Sequence, residues 1–139
     1  MGDFIQLAGP RAEMRTKKLD GVERRVFDPT SENYSGGYVS AFPEPDAPHG
    51  EWNQLDLYVI DNSAVHVVNG HIVMVVENAV KPDGSPLAEG QIQLQSEAAE
   101  IVYRDIRIRP IQRFPGLIER QVRWQGEPVA GRLGKPFDR

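Results

Sequence analysis

The sequence predicts an all-β, antiparallel sandwich, and three observations carry that expectation. Thirteen glycines and eleven prolines interrupt the chain at short intervals. No window sustains a helical repeat of apolar residues. Between the interruptions lie short runs that alternate apolar with polar residues, the pattern of strands packed on one face.

The predicted strands are 3–8, 13–18, 22–27, 38–42, 52–60, 64–68, 71–79, 91–96 and 101–109. Loops are predicted at 29–37, 43–50 and 81–90. The best-defined turn is Asn69-Gly70, because both central residues of a type I′ turn need positive φ and Asn-Gly adopts it at least steric cost. A two-residue loop pairs Val68 with His71, Val67 with Ile72 and His66 with Val73. One face of this hairpin is then Val65, Val67, Ile72, Met74 and Val76, apolar throughout. The other carries His66, Val68, His71, Val73 and Glu77, which puts both histidines on one side of the sheet.

The neighbouring runs extend the same two-sided pattern. Leu55, Leu57 and Val59 are expected to face the core, with Trp52, Gln54, Asp56 and Tyr58 on the far side. Ile92 and Leu94 join that core, leaving Gln91, Gln93, Gln95 and Glu97 outward. Ile106 and Ile108 point inward in their run, and Asp105, Arg107 and Arg109 outward. Arg104 falls in the apolar phase, which calls for an internal hydrogen bond or a bulge. Beyond Pro110 the pattern weakens, so 1–111 reads as the later part of a sandwich domain and 112–139 as a C-terminal extension with one candidate further strand at 117–124.

Composition narrows the function. The 139 residues suffice for a single core, and 40% hydrophobic with 26% charged residues is ordinary globular usage. A net charge of −4 argues against a nucleic-acid partner, which needs a basic surface. The longest apolar stretches are broken by His66, Asn69, His71 and Glu77, so no membrane span and no membrane partner is expected. The chain has no cysteine, which excludes disulfides and thiolate chemistry. Met1-Gly2-Asp3-Phe4-Ile5 shows no signal-peptide pattern.

A sheet face mixing Trp, Tyr, Gln, His and carboxylates suits a sugar ligand: aromatic rings stack on C–H patches while amides and carboxylates bond the hydroxyls. The same composition also describes an ordinary solvated face. His66 and His71 have the chemistry of general bases or metal ligands, and equally of solvated surface histidines. His49 sits in a loop. Glu97 ends its run, a position open to a catalytic carboxylate or to a plain surface glutamate. No phosphate loop, nucleophile elbow, HExxH or EF-hand pattern is present.

Four segments then occur in a telling order: Pro48-His49-Gly50-Glu51-Trp52-Asn53, Val65-His66-Val67-Val68-Asn69-Gly70-His71, Gly90-Gln91-Ile92-Gln93-Leu94-Gln95-Ser96-Glu97 and Tyr103-Arg104-Asp105-Ile106-Arg107-Ile108. Together they resemble the 3-keto-glycoside lyase/hydratase (3-keto-disaccharide hydrolase) domain family over about residues 1–111. The resemblance implies a concanavalin-like jelly roll with a sugar-binding concave face. It also implies cleavage of glycosides oxidised at C3: a base removes the C2 proton, the C1 aglycone leaves by β-elimination, and water adds. A divalent metal ion polarising the ketone is the candidate cofactor.

By position, His66 corresponds to the family histidine before the Asn-Gly turn, Gln95 to the glutamine of the Leu-Gln strand, and Trp52 to the Gly-x-Trp-Asn segment. The expected site is thus His66 and Glu97 as acid and base, with Trp52, Gln93, Gln95 and His71 binding substrate. Glu97 departs from the family pattern, where a histidine follows an aspartate after that glutamine. Family domains also begin with additional strands, one carrying a glutamate, so the chain reads as N-terminally truncated. Open sheet edges would then favour a homo-oligomer. The resemblance suggests an exported or periplasmic bacterial protein. A non-catalytic carbohydrate-binding module of the same fold, or a structural jelly roll without ligand, are the alternatives to an enzyme.

Overall fold

The computed structural model describes residues 1–7, 9–96 and 99–122. Eight strands run in chain order: β1 (Phe4–Ile5), β2 (Arg11–Lys18), β3 (Arg25–Phe27), β4 (Asn33–Tyr34), β5 (Tyr38–Val39), β6 (Leu55–Ile60), β7 (Ser63–Val68) and β8 (His71–Val80). A single short helix, α1 (Gly116–Gln121), follows. The larger sheet has the order β3-β2-β8-β7-β6, with β4 also pairing β2, and β1 with β5 forms a two-stranded ribbon. Every ladder is antiparallel. The all-β, jelly-roll-like sandwich is the architecture observed.

The Asn69-Gly70 turn forms as expected, with φ of 47° and 80°. Val68 faces His71 and Val67 faces Ile72, but His66 faces Met74 rather than Val73. Val73 is therefore an extra residue, and its carbonyl accepts a hydrogen bond from Phe42 N at 3.0 Å. Such a bulge reverses the phase of everything beyond it. Met74 and Val76 move to the face of His66 and Ala64, while Val75 and Glu77 take the face of Val65. The expected apolar face of Met74 and Val76 and the expected polar face carrying Glu77 are thus exchanged.

β8 is central and covered on both sides: Ile72, Val73, Met74, Val75, Val76 and Glu77 are all buried. The segment around the ribbon brings Gly2 and Ala41 against Val68 and Val73. On the other face Val122 meets Val75 and Glu77 around a small cavity, with Arg15, Phe27, Pro29 and Gln121. Ile118 and Val122 belong to the main core with Met14, Phe27, Val65 and Val67. Residues 117–121 of the expected strand are thus helical, because a short amphipathic turn after Pro115 buries Ile118 with so few residues.

Several expected core residues lie outside. Leu55, Leu57 and Val59 are 55%, 55% and 49% exposed, although β6 forms over the last six residues of the expected 52–60 run. The runs 91–96 and 101–109 join no sheet, and Ile92, Leu94, Ile106 and Ile108 are exposed. Their alternation is that of strands, but alternation yields a strand only where a neighbouring edge is there to accept the ladder. Val67, Ile72 and Met74 are buried as expected.

Candidate functional site

His66 lies on β7 between two directly paired neighbours, Leu57 of β6 and Met74 of β8. His71 faces Val68, one step along the same face, so the two histidines do share a side. That side is largely apolar, however, not the polar one expected. The segment leading into β1 closes over His66: its Nδ1 lies 2.8 Å from the Gly2 carbonyl oxygen. A carbonyl only accepts, so Nδ1 carries the proton and donates. Nε2 is left with its lone pair, the form of imidazole that can accept a proton.

Gly2 reaches this position through a φ of +88°, in the region that favours glycine. A Cβ there would approach Val73 Cγ2 to 2.7 Å. Asp3 anchors the same segment, its Oδ1 accepting from Ala41 N at 2.8 Å and its Oδ2 from the Tyr38 hydroxyl. Burial holds the His66 pKa below the ordinary imidazole range, against the opposing pull of the Gly2 carbonyl and the Asp3 carboxylate. The ring is neutral at neutral pH.

Trp52 precedes β6 and is half exposed, and the Arg104 guanidinium stacks 3.9 Å from its ring centroid. Arg104 thus finds neither an internal hydrogen bond nor a bulge but an indole face, a cation–π contact. The Tyr103 hydroxyl donates to the Gln95 carbonyl at 2.6 Å, so what fixes Gln95 is its backbone. Gln93 and Gln95 are exposed outside any strand, which corrects the expectation of a glutamine-lined sheet face. Glu97 lies outside the described residues.

Sequence reasoning read Asn69 only for its turn geometry, yet its side chain clamps the loop before β6. Nδ2 donates to Pro45 O and Asn53 Oδ1, both at 2.8 Å, and Oδ1 accepts from Gln54 N at 2.9 Å. Asn53 Oδ1 also accepts from Ala47 N at 2.7 Å. The pairing of Asn53 with Asn69 holds the segment carrying Trp52 beside the hairpin carrying His66. Gly2 and Asp3 were missed as well, since nothing local in Met1-Gly2-Asp3-Phe4 signals a partner sixty residues away.

A second polar cluster lies on the opposite face, where Glu13 of β2 directly faces the buried Glu77 of β8. Asn78 and Asn33 donate to Glu13 Oε2 at 3.0 and 3.4 Å. Among the described residues no three histidine or carboxylate side chains converge as a metal-holding set. The described side chains therefore do not fit a metal centre.

No curated protein and no solved structure matches the chain. A family model does, described as the 3-keto-alpha-glucoside-1,2-lyase-like domain, over residues 5–109. That span includes β2 to β8, the Trp52–Arg104 stack and His66, and it supports a carbohydrate-related role. By a match that covers most of its length, the chain belongs to the 3-keto-alpha-glucoside-1,2-lyase-like domain family.

Proposed function

We propose that this domain cleaves 3-keto-glycosides by proton abstraction at C2, with His66 as the base. The observation carrying this reading is the state of His66: neutral, its Nδ1–H committed to the Gly2 carbonyl and its Nε2 lone pair left to accept a proton. In the substrate the C3 ketone acidifies the C2–H bond. Nε2 takes that proton, and the C–H electron pair moves into a C2–C3 enolate. The enolate collapses to restore the ketone and form the C1–C2 double bond, expelling the aglycone oxygen, which takes a proton from imidazolium or from Glu97. Water then adds across C1–C2, giving the free 3-keto sugar. Trp52, Gln93, Gln95 and His71 are assigned to holding the sugar.

The test is aglycone release from a 3-keto-glucoside in deuterated water, with C2 followed by NMR. Release with deuterium at C2, lowered about 10²–10⁴-fold in His66→Ala as for loss of a general base, is the expected result. Release without C2 exchange would mean direct hydrolysis and would overturn the elimination route. A second reading, a non-catalytic sugar-binding module, is favoured by the exposed aromatic side chains of Trp52 and Tyr103. It would show as binding of a glycoside with no turnover.

A further inference from the structure

We propose that Gly2 and Asp3 are positioning residues for His66, and that they set which ring nitrogen is free to act as base. The inference rests on the reading of His66 as the base, but its test needs no substrate. A solvated histidine side chain favours the Nε2–H tautomer, which would leave the wrong nitrogen protonated for a base acting through Nε2. In this chain the choice is made by one backbone carbonyl. The Gly2 oxygen lies 2.8 Å from Nδ1 and can only accept, so it selects the Nδ1–H form.

Two features keep that carbonyl in place. The first is steric: Gly2 sits at φ +88° against Val73 and Val68, where a Cβ would come within 2.7 and 3.3 Å of their methyl groups. Its neighbour Val73 is the bulged residue of β8, so the bulge that places Met74 opposite His66 also builds the floor under Gly2. The second is Asp3, which ties the segment to Ala41 N and the Tyr38 hydroxyl across the β1–β5 ribbon. Among the described residues, the paired partners of His66 in β6 and β8, Leu57 and Met74, are uncharged, and the titratable group nearest along that face is His71 of β8, one step away. Asp3 therefore does two separable things: its geometry holds the carbonyl, and its charge favours the imidazolium.

Substitution separates the two. Asp3→Asn keeps an oxygen acceptor for Ala41 N–H and removes the charge. Asp3→Ala removes both, and Gly2→Ala drives the carbonyl off Nδ1. The measurement is the long-range ¹H–¹⁵N correlation pattern of His66 across a pH titration of the full chain. The wild type should show Nδ1 protonated and Nε2 unprotonated at neutral pH. Gly2→Ala and Asp3→Ala should move the pattern toward Nε2–H or tautomer averaging. Asp3→Asn should keep the wild-type tautomer and titrate at lower pH.

A wild-type spectrum with Nε2 protonated would overturn the proposal, and that spectrum depends on no variant folding. So would an unmoved pattern in Gly2→Ala and Asp3→Ala. If the tautomer is as stated but His66→Ala leaves turnover intact, the positioning holds and the catalytic reading fails, so the two are distinguished.

Discussion

Leu57 and His66 stand directly opposite each other in the β6–β7 ladder, on a face that passes from covered to open between them. Met74, on the other side of His66, is fully buried, whereas Leu57 is 55% exposed. The histidine therefore sits on the boundary of the part closed by Gly2, Ala41 and the β1–β5 ribbon. Such a boundary desolvates the ring and so favours its neutral form.

That boundary separates residues whose truncation is costly from those whose truncation is not. Ile72→Ala, at a site 2% exposed, is expected to lose about 2–5 kcal/mol, the usual range for a buried branched side chain. Leu94→Ala, at 54% exposure, is expected to stay within about 0.5 kcal/mol. Urea denaturation of both variants checks this. Comparable losses would place the 91–96 segment in a packed sheet.

The contrast also shows how far the sequence could be read. The hairpin was legible because its signal is local: Asn69-Gly70 defines the turn, and two residues either side follow from it. The register failed at Val73, where a bulge depends on Phe42 and Gly2 arriving from elsewhere in the chain. The Leu55–Val59 and Ile92–Leu94 alternations report a preference for a sheet surface but carry no information on what covers it. His66 was singled out by the family resemblance around the Asn-Gly turn, while Gly2, whose carbonyl it meets, and Asp3 have no local signature at all.

Asn69 offers a test of the clamp between the hairpin and the Trp52 segment. Asn69→Ala removes two donated bonds and one accepted bond and places a Cβ without a compensating side-chain bond at φ 47°. A loss of about 2–4 kcal/mol is expected from these bonds together with the left-handed backbone. Asn69→Gly, which relieves the backbone but not the bonds, should recover only part of it. Thermal or urea unfolding of the two variants separates the contributions.

The pH dependence of stability carries the sign of the His66 shift. Its folded pKa lies below the ordinary 6.5 because burial disfavours the imidazolium. Between that lowered value and 6.5 the unfolded chain binds more protons than the folded one, so stability falls as pH drops through this window. Above 6.5 both states are neutral at this position and the contribution is constant. The difference in urea midpoint between wild type and His66→Gln, which cannot titrate, should therefore shift against the wild type as pH is lowered from 7 through that window. A difference independent of pH would mean that His66 is as readily protonated folded as unfolded.

The same shift predicts the acid limb of the proposed reaction. A base must be unprotonated to act, so kcat/KM for a 3-keto-glucoside should fall about tenfold per pH unit below the His66 pKa. Because the free-enzyme pKa is held down by burial, the inflection should lie below the 6.5 of an ordinary imidazole. Asp3→Asn removes the carboxylate that favours the imidazolium, and should move that inflection lower still without a matching loss at the plateau. His66→Gln should remove the limb together with most of the rate. An inflection above 6.5 would contradict a partly buried, neutral histidine as the base. A limb that survives unchanged in His66→Gln would assign the proton abstraction to a carboxylate, with Glu97 the first residue to substitute.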